Sequence, residues 1–268
     1  MVTMLSEILA HKRADLEVKK HTCPLSTIER ALESAGPIRD FLAALRRRGD
    51  RLALVAECKR ASPSRGMLAM KQDVLELAHI YAENGASAVS VLTDERFFRG
   101  SLDDLRRIAS ANLQVPLLRK DFILDAYQVY EARAAGADGV LLIVAALEKN
   151  KLHELHKLAQ QLGMAVLIEV HDRDELEVAL ECEPRIIGIN NRNLQDFSVR
   201  LETSLELCPV VPGDICTVAE SGIQTVEDIK RLADAGADAI LVGEALVTAS
   251  DIKAKVRSLA WIEQTITI

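Results

Sequence analysis

Eight short apolar runs, each followed by an amphipathic stretch of helical length, constrain the fold of this chain more than any other feature. They fall at about 52–56, 88–92, 115–118, 138–144, 164–168, 186–189, 215–219 and 239–242. Each is short and bounded by turn residues, as a buried strand is. Between them, apolar residues recur at helical spacing, as in Val74, Leu75, Leu77, Ala78 and Tyr81, or Leu152, Leu155, Leu158 and Leu162. Strand and helix in strict alternation imply an α/β protein with a parallel sheet, and eight units predict a closed (β/α)8 TIM barrel. An open doubly wound sheet is the competitor, but no Gly-rich dinucleotide fingerprint follows the first strand.

An internal echo supports the barrel. Residues 84–89 (NGASAV), 135–140 (AGADGV) and 235–240 (AGADAI) each join a helix end to the next strand. Glycine there suits the left-handed cap of a helix. Before the first strand the pattern is helical. Leu5, Ile8 and Leu9 share one face, Ser26 with Glu29 three residues on resembles a helix cap, and Phe41, Leu42 and Leu45 form a stripe. Arg46-Arg47-Arg48 is expected to be a solvated helix end. No linker or composition shift divides the chain, so residues 1–268 read as one barrel domain with residues 1–50 as a helical extension expected to cover the barrel mouth.

Composition excludes several functions. A net charge of −7 argues against binding to a nucleic-acid backbone. No apolar run approaches a membrane span, and the first twenty residues lack the apolar core of a signal peptide. The five cysteines are odd in number with no CxxC spacing, and the six histidines are scattered without HExxH. Reduced thiols in the cytoplasm, and no metal, are expected.

In a barrel of this kind the chemistry sits at the C-terminal ends of the strands. Strand one ends in AECKRASPSRG, where Glu57 and Lys59 lie two residues apart and so share a face. Taken alone they could be a surface ion pair beside a polar turn. Strand three ends in Lys120, strand five in Glu169, strand six in Asn190 with Arg192 beyond, and strand seven in Glu220-Ser221-Gly222. Parity puts Lys120 on the face of Leu118, Glu169 on that of Leu167 and Asn190 on that of Gly188, with Arg119 turned away. Lysines and glutamates converging at one mouth suit acid–base work. Gly222 and Gly243-Glu244, after strands seven and eight, lie where such barrels hold a phosphate.

The stretches AECKRASPSRG, LTDERFFRGSLDDL, LLRKDFILD, LIEVHD, IGINNRNL, AESGI and LVGEAL together strongly resemble indole-3-glycerol-phosphate synthases of tryptophan biosynthesis, over nearly the whole chain. The resemblance implies a carboxy-lyase that needs no cofactor. Its substrate would be 1-(2-carboxyphenylamino)-1-deoxyribulose 5-phosphate, closed to the indole with loss of CO2 and water. It further implies Lys120 as general acid, Glu169 as base in the dehydration, Glu57 as support of the lysines, and Lys59 as substrate anchor, with a second role as proton donor left open. Asn190, Glu220 and Arg192 would orient the substrate. Ser62, Pro63, Phe98, Phe122, Ser221 and Leu241 would line its pocket, and Gly222, Gly243 and the Glu244 amide would take its phosphate. Glu244 and Arg99 depart from the family pattern. The Glu244 carboxylate is expected to face away from the anion, and Arg99 to be a solvated loop charge.

Two other readings stand beside this one. A Schiff-base aldolase would need a lysine of lowered pKa. A non-catalytic barrel would bind a phosphorylated metabolite or a partner protein. A small phosphorylated substrate, with no nucleic acid and no membrane, is the partner expected; a monomer is the expected state, with weak self-association left open.

Overall fold

Eight parallel strands close on themselves: β1 (Ala53–Cys58), β2 (Ala88–Leu92), β3 (Leu117–Lys120), β4 (Gly139–Ile143), β5 (Ala165–Val170), β6 (Ile186–Asn190), β7 (Cys216–Glu220) and β8 (Ala239–Val242). The computed structural model describes residues 3–49, 51–63, 65–68, 72–195 and 197–260; Ser64, in the loop read as a pocket wall, lies outside them. Closure comes where β1 pairs with β8 (Ala53 with Ala239) on one side and β2 (Val55 with Ala88) on the other. The helices α4 (Val74–Glu83), α5 (Leu102–Ser110), α6 (Ala126–Ala134), α7 (Lys149–Gln161), α8 (Arg173–Leu180), α9 (Glu202–Leu207), α10 (Val226–Asp234) and α11 (Ile252–Leu259) follow the strands in turn.

The period-two alternation of a strand sorts the apolar residues into two cores. Val55, Leu118, Leu141, Leu167, Val218 and Leu241 fill the barrel. Their neighbours Leu54, Leu117, Val140, Ile168 and Ile240 point outward and pack under the helices. Gly85, Gly136 and Gly236 of the repeated turn all have positive φ (107°, 89° and 99°), the conformation a helix needs to turn back into the sheet. Two copies of the turn carry a further device. Asp138 and Asp238 accept from the backbone N–H of Leu117 (2.7 Å) and Thr217 (2.9 Å), fixing the start of the preceding strand.

The N-terminal helices α1 (Met4–Thr22), α2 (Leu25–Leu32) and α3 (Phe41–Leu45) cap both ends of the barrel. Phe41, Leu42 and Leu45 enter the interior core at the N-terminal ends of the strands. The Phe41 ring lies 3.4 Å from where a Cβ on Gly139 would sit, and Cys216 Sγ approaches Leu45 O at 3.8 Å. Each such side chain contributes roughly 1.5–3 kcal/mol by burial. At the opposite end Ile8 of α1 joins the same core. Farther along, Leu16 and Ile28 pack on Tyr127 of α6, whose hydroxyl donates to Cys23 O at 2.9 Å.

Three details differ from expectation. Ser26 is inside α2 and makes no cap; Pro24 precedes the helix instead, as suits a residue with a fixed φ. β3 starts two residues late and runs on through Arg119 and Lys120. Pro116 has no N–H for the ladder, and the buried Arg119 is fully paired by Asp121, Glu131, Thr93 and the carbonyl of Gln128. Asp40 caps α3 through the Ala43 N–H (2.9 Å), and the helix ends before the arginine triplet. Arg47 is not merely solvated, since it donates to Ala233 O at 2.9 Å.

Candidate active site

At the C-terminal ends of the strands lies a cavity of about 1270 Å³. Every residue given a site role in the sequence borders it: Glu57, Lys59, Ser62, Pro63, Phe98, Lys120, Phe122, Glu169, Asn190, Arg192, Glu220, Ser221, Gly222, Leu241, Gly243 and Glu244. Parity explains the polar floor, because β3, β6 and β7 end on an inward position and β5 places Glu169 inward one residue before its end.

Lys120 is the hub. Its Nζ lies 3.1 Å from Glu169 Oε2 and 3.3 Å from Glu220 Oε2. Burial works against its charge, but Glu169, Glu220 and Glu57 outweigh it and hold the ammonium above the usual lysine range. A lysine so held stays a proton donor at neutral pH and is no Schiff-base nucleophile. The two carboxylates are driven apart. Glu169 falls below the usual range, since Lys120, His171 and Asn190 overcome the effect of burial. Burial pushes Glu220 up to about 8, with Lys120 opposing it and Glu169 adding to it. Its Oε1 is buried without a hydrogen-bond partner among the described residues. Two titrating groups pushed in opposite directions by one environment are the arrangement that divides acid from base.

Two glycines give these carboxylates their space. A Cβ on Gly188 would stand 2.3 Å from Glu220 Oε1, and one on Gly243 would stand 2.6 Å from Glu57 Oε1. Sequence reading took Gly243 as a phosphate contact alone; the structure adds that Glu57 needs the room. Glu57 also pairs with Lys59 at 3.5 Å, and the Lys59 ammonium lies 5.6 Å from the centre of the Phe98 ring. Phe98 and Phe122 are tilted against each other with centroids 6.3 Å apart, an apolar wall opposite the charges.

The remaining wall is a set of loop ends. Asn190 Oδ1 accepts from the Arg192 N–H at 3.0 Å. The Asn191 side chain donates to Ser221 O at 3.0 Å, and Ser221 and Gly222 both have positive φ (67° and 77°). A serine in that conformation is strained, a cost usually met at ligand-binding turns. The carboxylate of Glu244 turns to Arg65, 3.0 Å away. Arg99 is exposed and does not border the cavity.

Three contributions escaped the sequence reading. Leu5 and Ile8 of α1 line the cavity. Lys12, one turn past Ile8, is buried between Asp94 (2.7 Å) and Asp121 (2.8 Å) and so ties α1 to the ends of β2 and β3. The signal was present, since Lys12 interrupts the stripe Ile8–Lys12–Leu16. Arg65 crosses the mouth to Glu244 from the turn between the short strands Ala61–Ser62 and Gly66–Met67. Among the described residues no group of His, Cys, Asp and Glu could hold a metal ion, and no helix is long and apolar enough to cross a membrane.

The chain matches a family model described as indole-3-glycerol phosphate synthase over residues 5–259. Proteins of that name from Roseiflexus sp. (strain RS-1) and Dehalococcoides mccartyi (strain CBDB1) are 52% and 49% identical to it. The first match covers 97% of this chain and 98% of the relative, the second 96% and 99%. Among solved structures, a chain of the tryptophan synthase a2b2 complex from Pyrococcus furiosus superposes with a TM-score of 0.58 at 17% identity, over 78% of this chain and 98% of that one. Thiamine phosphate pyrophosphorylase from Pyrococcus furiosus gives a TM-score of 0.59 at 20% identity, over 77% of this chain and 93% of that one. Those two likenesses speak to the barrel alone, whereas the near-complete match to the family model and to the two relatives makes this chain a member of the indole-3-glycerol phosphate synthase family.

Proposed function

We propose that this chain closes the indole ring of 1-(2-carboxyphenylamino)-1-deoxyribulose 5-phosphate, releasing CO2 and water to give indole-3-glycerol phosphate. The observation that carries the reading is Lys120, a half-buried ammonium at the cavity floor gripped by two carboxylates whose pKa values are driven apart. The whole chain acts as one barrel unit, with residues 1–50 as its helical extension, on a small phosphorylated substrate in the cytoplasm.

Ring closure joins the carboxylate-bearing aromatic carbon to the ribulose carbonyl carbon, and negative charge grows on the carbonyl oxygen. Lys120 gives its proton there, where a preorganised donor is worth most. Loss of CO2 returns the electron pair to the ring. In the dehydration that follows, Glu169 removes a ring proton while the hydroxyl leaves as water, protonated by Lys59. Glu57 pairs with Lys59 at 3.5 Å and holds its side chain in place. Glu220, Asn190 and Arg192 orient the sugar hydroxyls and the lysine. Phe122 and Leu241 sandwich the aromatic ring, and Ser62, Pro63, Phe98 and Ser221 complete the wall. The N–H groups of Gly222, Gly243 and Glu244 take the phosphate, and the turn of the Glu244 carboxylate toward Arg65 supports that placement.

Indole fluorescence appearing when the protein is mixed with the substrate tests the reaction, and its absence removes the proposal. Glu169→Gln separates the two steps. We expect dehydration to slow about 100-fold or more, as for loss of a general base, while ring closure continues, so quenching should trap a cyclised, decarboxylated intermediate. Equal slowing of both steps would take Glu169 out of its role.

A further inference from the structure

The end of β5 carries one charged group that the proposed chemistry leaves unused. His171 lies two residues beyond Glu169 and is not part of the cavity lining. Its position is set from the next helix. Glu175 Oε2, in the first turn of α8, accepts from the His171 backbone N–H at 2.8 Å and lies 2.9 Å from Nδ1. Asp172 caps that helix by accepting from the Glu175 N–H at 2.9 Å, so the clamp is built into the helix start. With Nδ1 committed to Glu175, Nε2 is left facing Glu169, 3.4 Å from Oε1. Nε2 is buried and makes no well-aligned hydrogen bond among the described residues, so its contact with Glu169 at this distance is that of an ion pair. Glu169 Oε2 meets Lys120, and the base thus stands between two cations, one on each oxygen.

We infer that His171 is a positioning residue for the base: clamped by Glu175, it keeps Glu169 anionic and turned with Oε2 toward Lys120 and the cavity. The inference rests on the reading of Glu169 given above. Charge balance agrees with the geometry. Burial opposes a charged imidazole, but Glu169 and Glu175 push it up to about 10, so it is a cation at neutral pH. The other groups that face Glu169 are Lys120 from β3, Asn190 from β6 and Glu220 from β7, with Glu57 beyond Lys120. The turn Val144–Ala146, packed on α8, carries no titratable side chain. Among the described residues Lys120 and His171 are therefore the two cations that face Glu169 itself, while Lys59 pairs with Glu57.

The test is a pH profile of His171→Ala, His171→Gln and Glu175→Gln. In His171→Ala we expect kcat to fall about tenfold at neutral pH because Glu169 is no longer held in place, with KM within about twofold, and the acid limb to move to higher pH because Glu169 has lost a neighbouring cation. His171→Gln, which keeps a donor but no charge, should regain part of kcat and keep the shifted limb. Glu175→Gln should shift the limb the same way by less. An unmoved limb in all three variants overturns the inference, whatever happens to their melting temperatures. Without substrate, 13C NMR of δ-carboxyl-labelled glutamate, with Glu169 assigned by Glu169→Gln, should show a higher midpoint in His171→Ala. A wild type that makes no indole ends the reading above, yet that NMR titration still decides whether His171 sets the ionisation of Glu169.

Discussion

Two lysines of this molecule each sit between two carboxylates, Lys12 buried and Lys120 half-buried at the cavity floor, and they do opposite things. Lys12 sits 2.7 Å from Asp94 and 2.8 Å from Asp121; Lys120 sits 3.1 Å from Glu169 and 3.3 Å from Glu220. Around Lys12 the oxygens are taken. Asp94 also accepts from the Phe97 N–H, and Asp121 accepts from Thr93, Arg119 and the Phe122 N–H. Burial opposes the charge of Asp121, but Lys12 and Arg119 hold it well below the usual range. Around Lys120 an oxygen of Glu220 has no hydrogen-bond partner among the described residues, and burial pushes the carboxyl up to about 8. A satisfied cluster fixes structure, in this case the seating of α1 over the mouth. An under-satisfied one at a cavity floor is ready to exchange protons.

Substitution should separate the two sharply. Lys120→Met should lower turnover by about 100-fold to 10000-fold, the range for a lost general acid, with a circular dichroism melt close to wild type. The fold survives because Glu220 can take up a proton near neutrality and relieve the repulsion with Glu169. Near wild-type turnover would break the contrast at once.

Lys12→Met should act on stability first, at a cost of about 3–5 kcal/mol for leaving buried carboxylates unpaired. No proton readily replaces the cation there, because Asp121 is held as an anion by Arg119 and Thr93 as well. The sign of the pH effect follows. A carboxylate depressed in the folded state contributes stability above its unfolded value, near 3.8 for Asp121, and loses it as pH falls below that. The wild type should therefore lose stability on acidification below about pH 4. The variant starts with less and should unfold at higher pH. Acid-unfolding curves that coincide would show that Lys12 carries no such load.

The smallest expected effect is at Gly188→Ala. The added methyl would meet Glu220 Oε1 at 2.3 Å and force that carboxylate aside without touching Lys12. Turnover should fall about tenfold, with a stability change of about 1–3 kcal/mol from overpacking. Unchanged turnover would mean that the position of Glu220 matters less than its charge.

Much of this was legible in the chain. The eight apolar runs gave the strands to within about two residues, because a buried strand must be a short apolar segment. Parity placed Lys120, Glu169 and Asn190 inside and Arg119 outside, because successive side chains alternate. The misses have physical causes. Ser26 carries the residue pattern of a cap, but a cap depends on where the backbone leaves the extended region, and Pro24 decides that. Arg47 looked solvated because its partner, the carbonyl of Ala233, is far away in sequence.

The sequence by itself determined the closed barrel, the face on which each strand-end residue points, and family membership, all of which follow from local periodicity and motif. Tertiary structure alone decided that Lys12 is a structural ion, that Gly188 and Gly243 make room for carboxylates, and that Glu175 and His171 stand behind Glu169. Those facts depend on distances between residues brought together from different strands, loops and helices, and on how many partners each buried oxygen finds. A linear order of residue types does not contain that count.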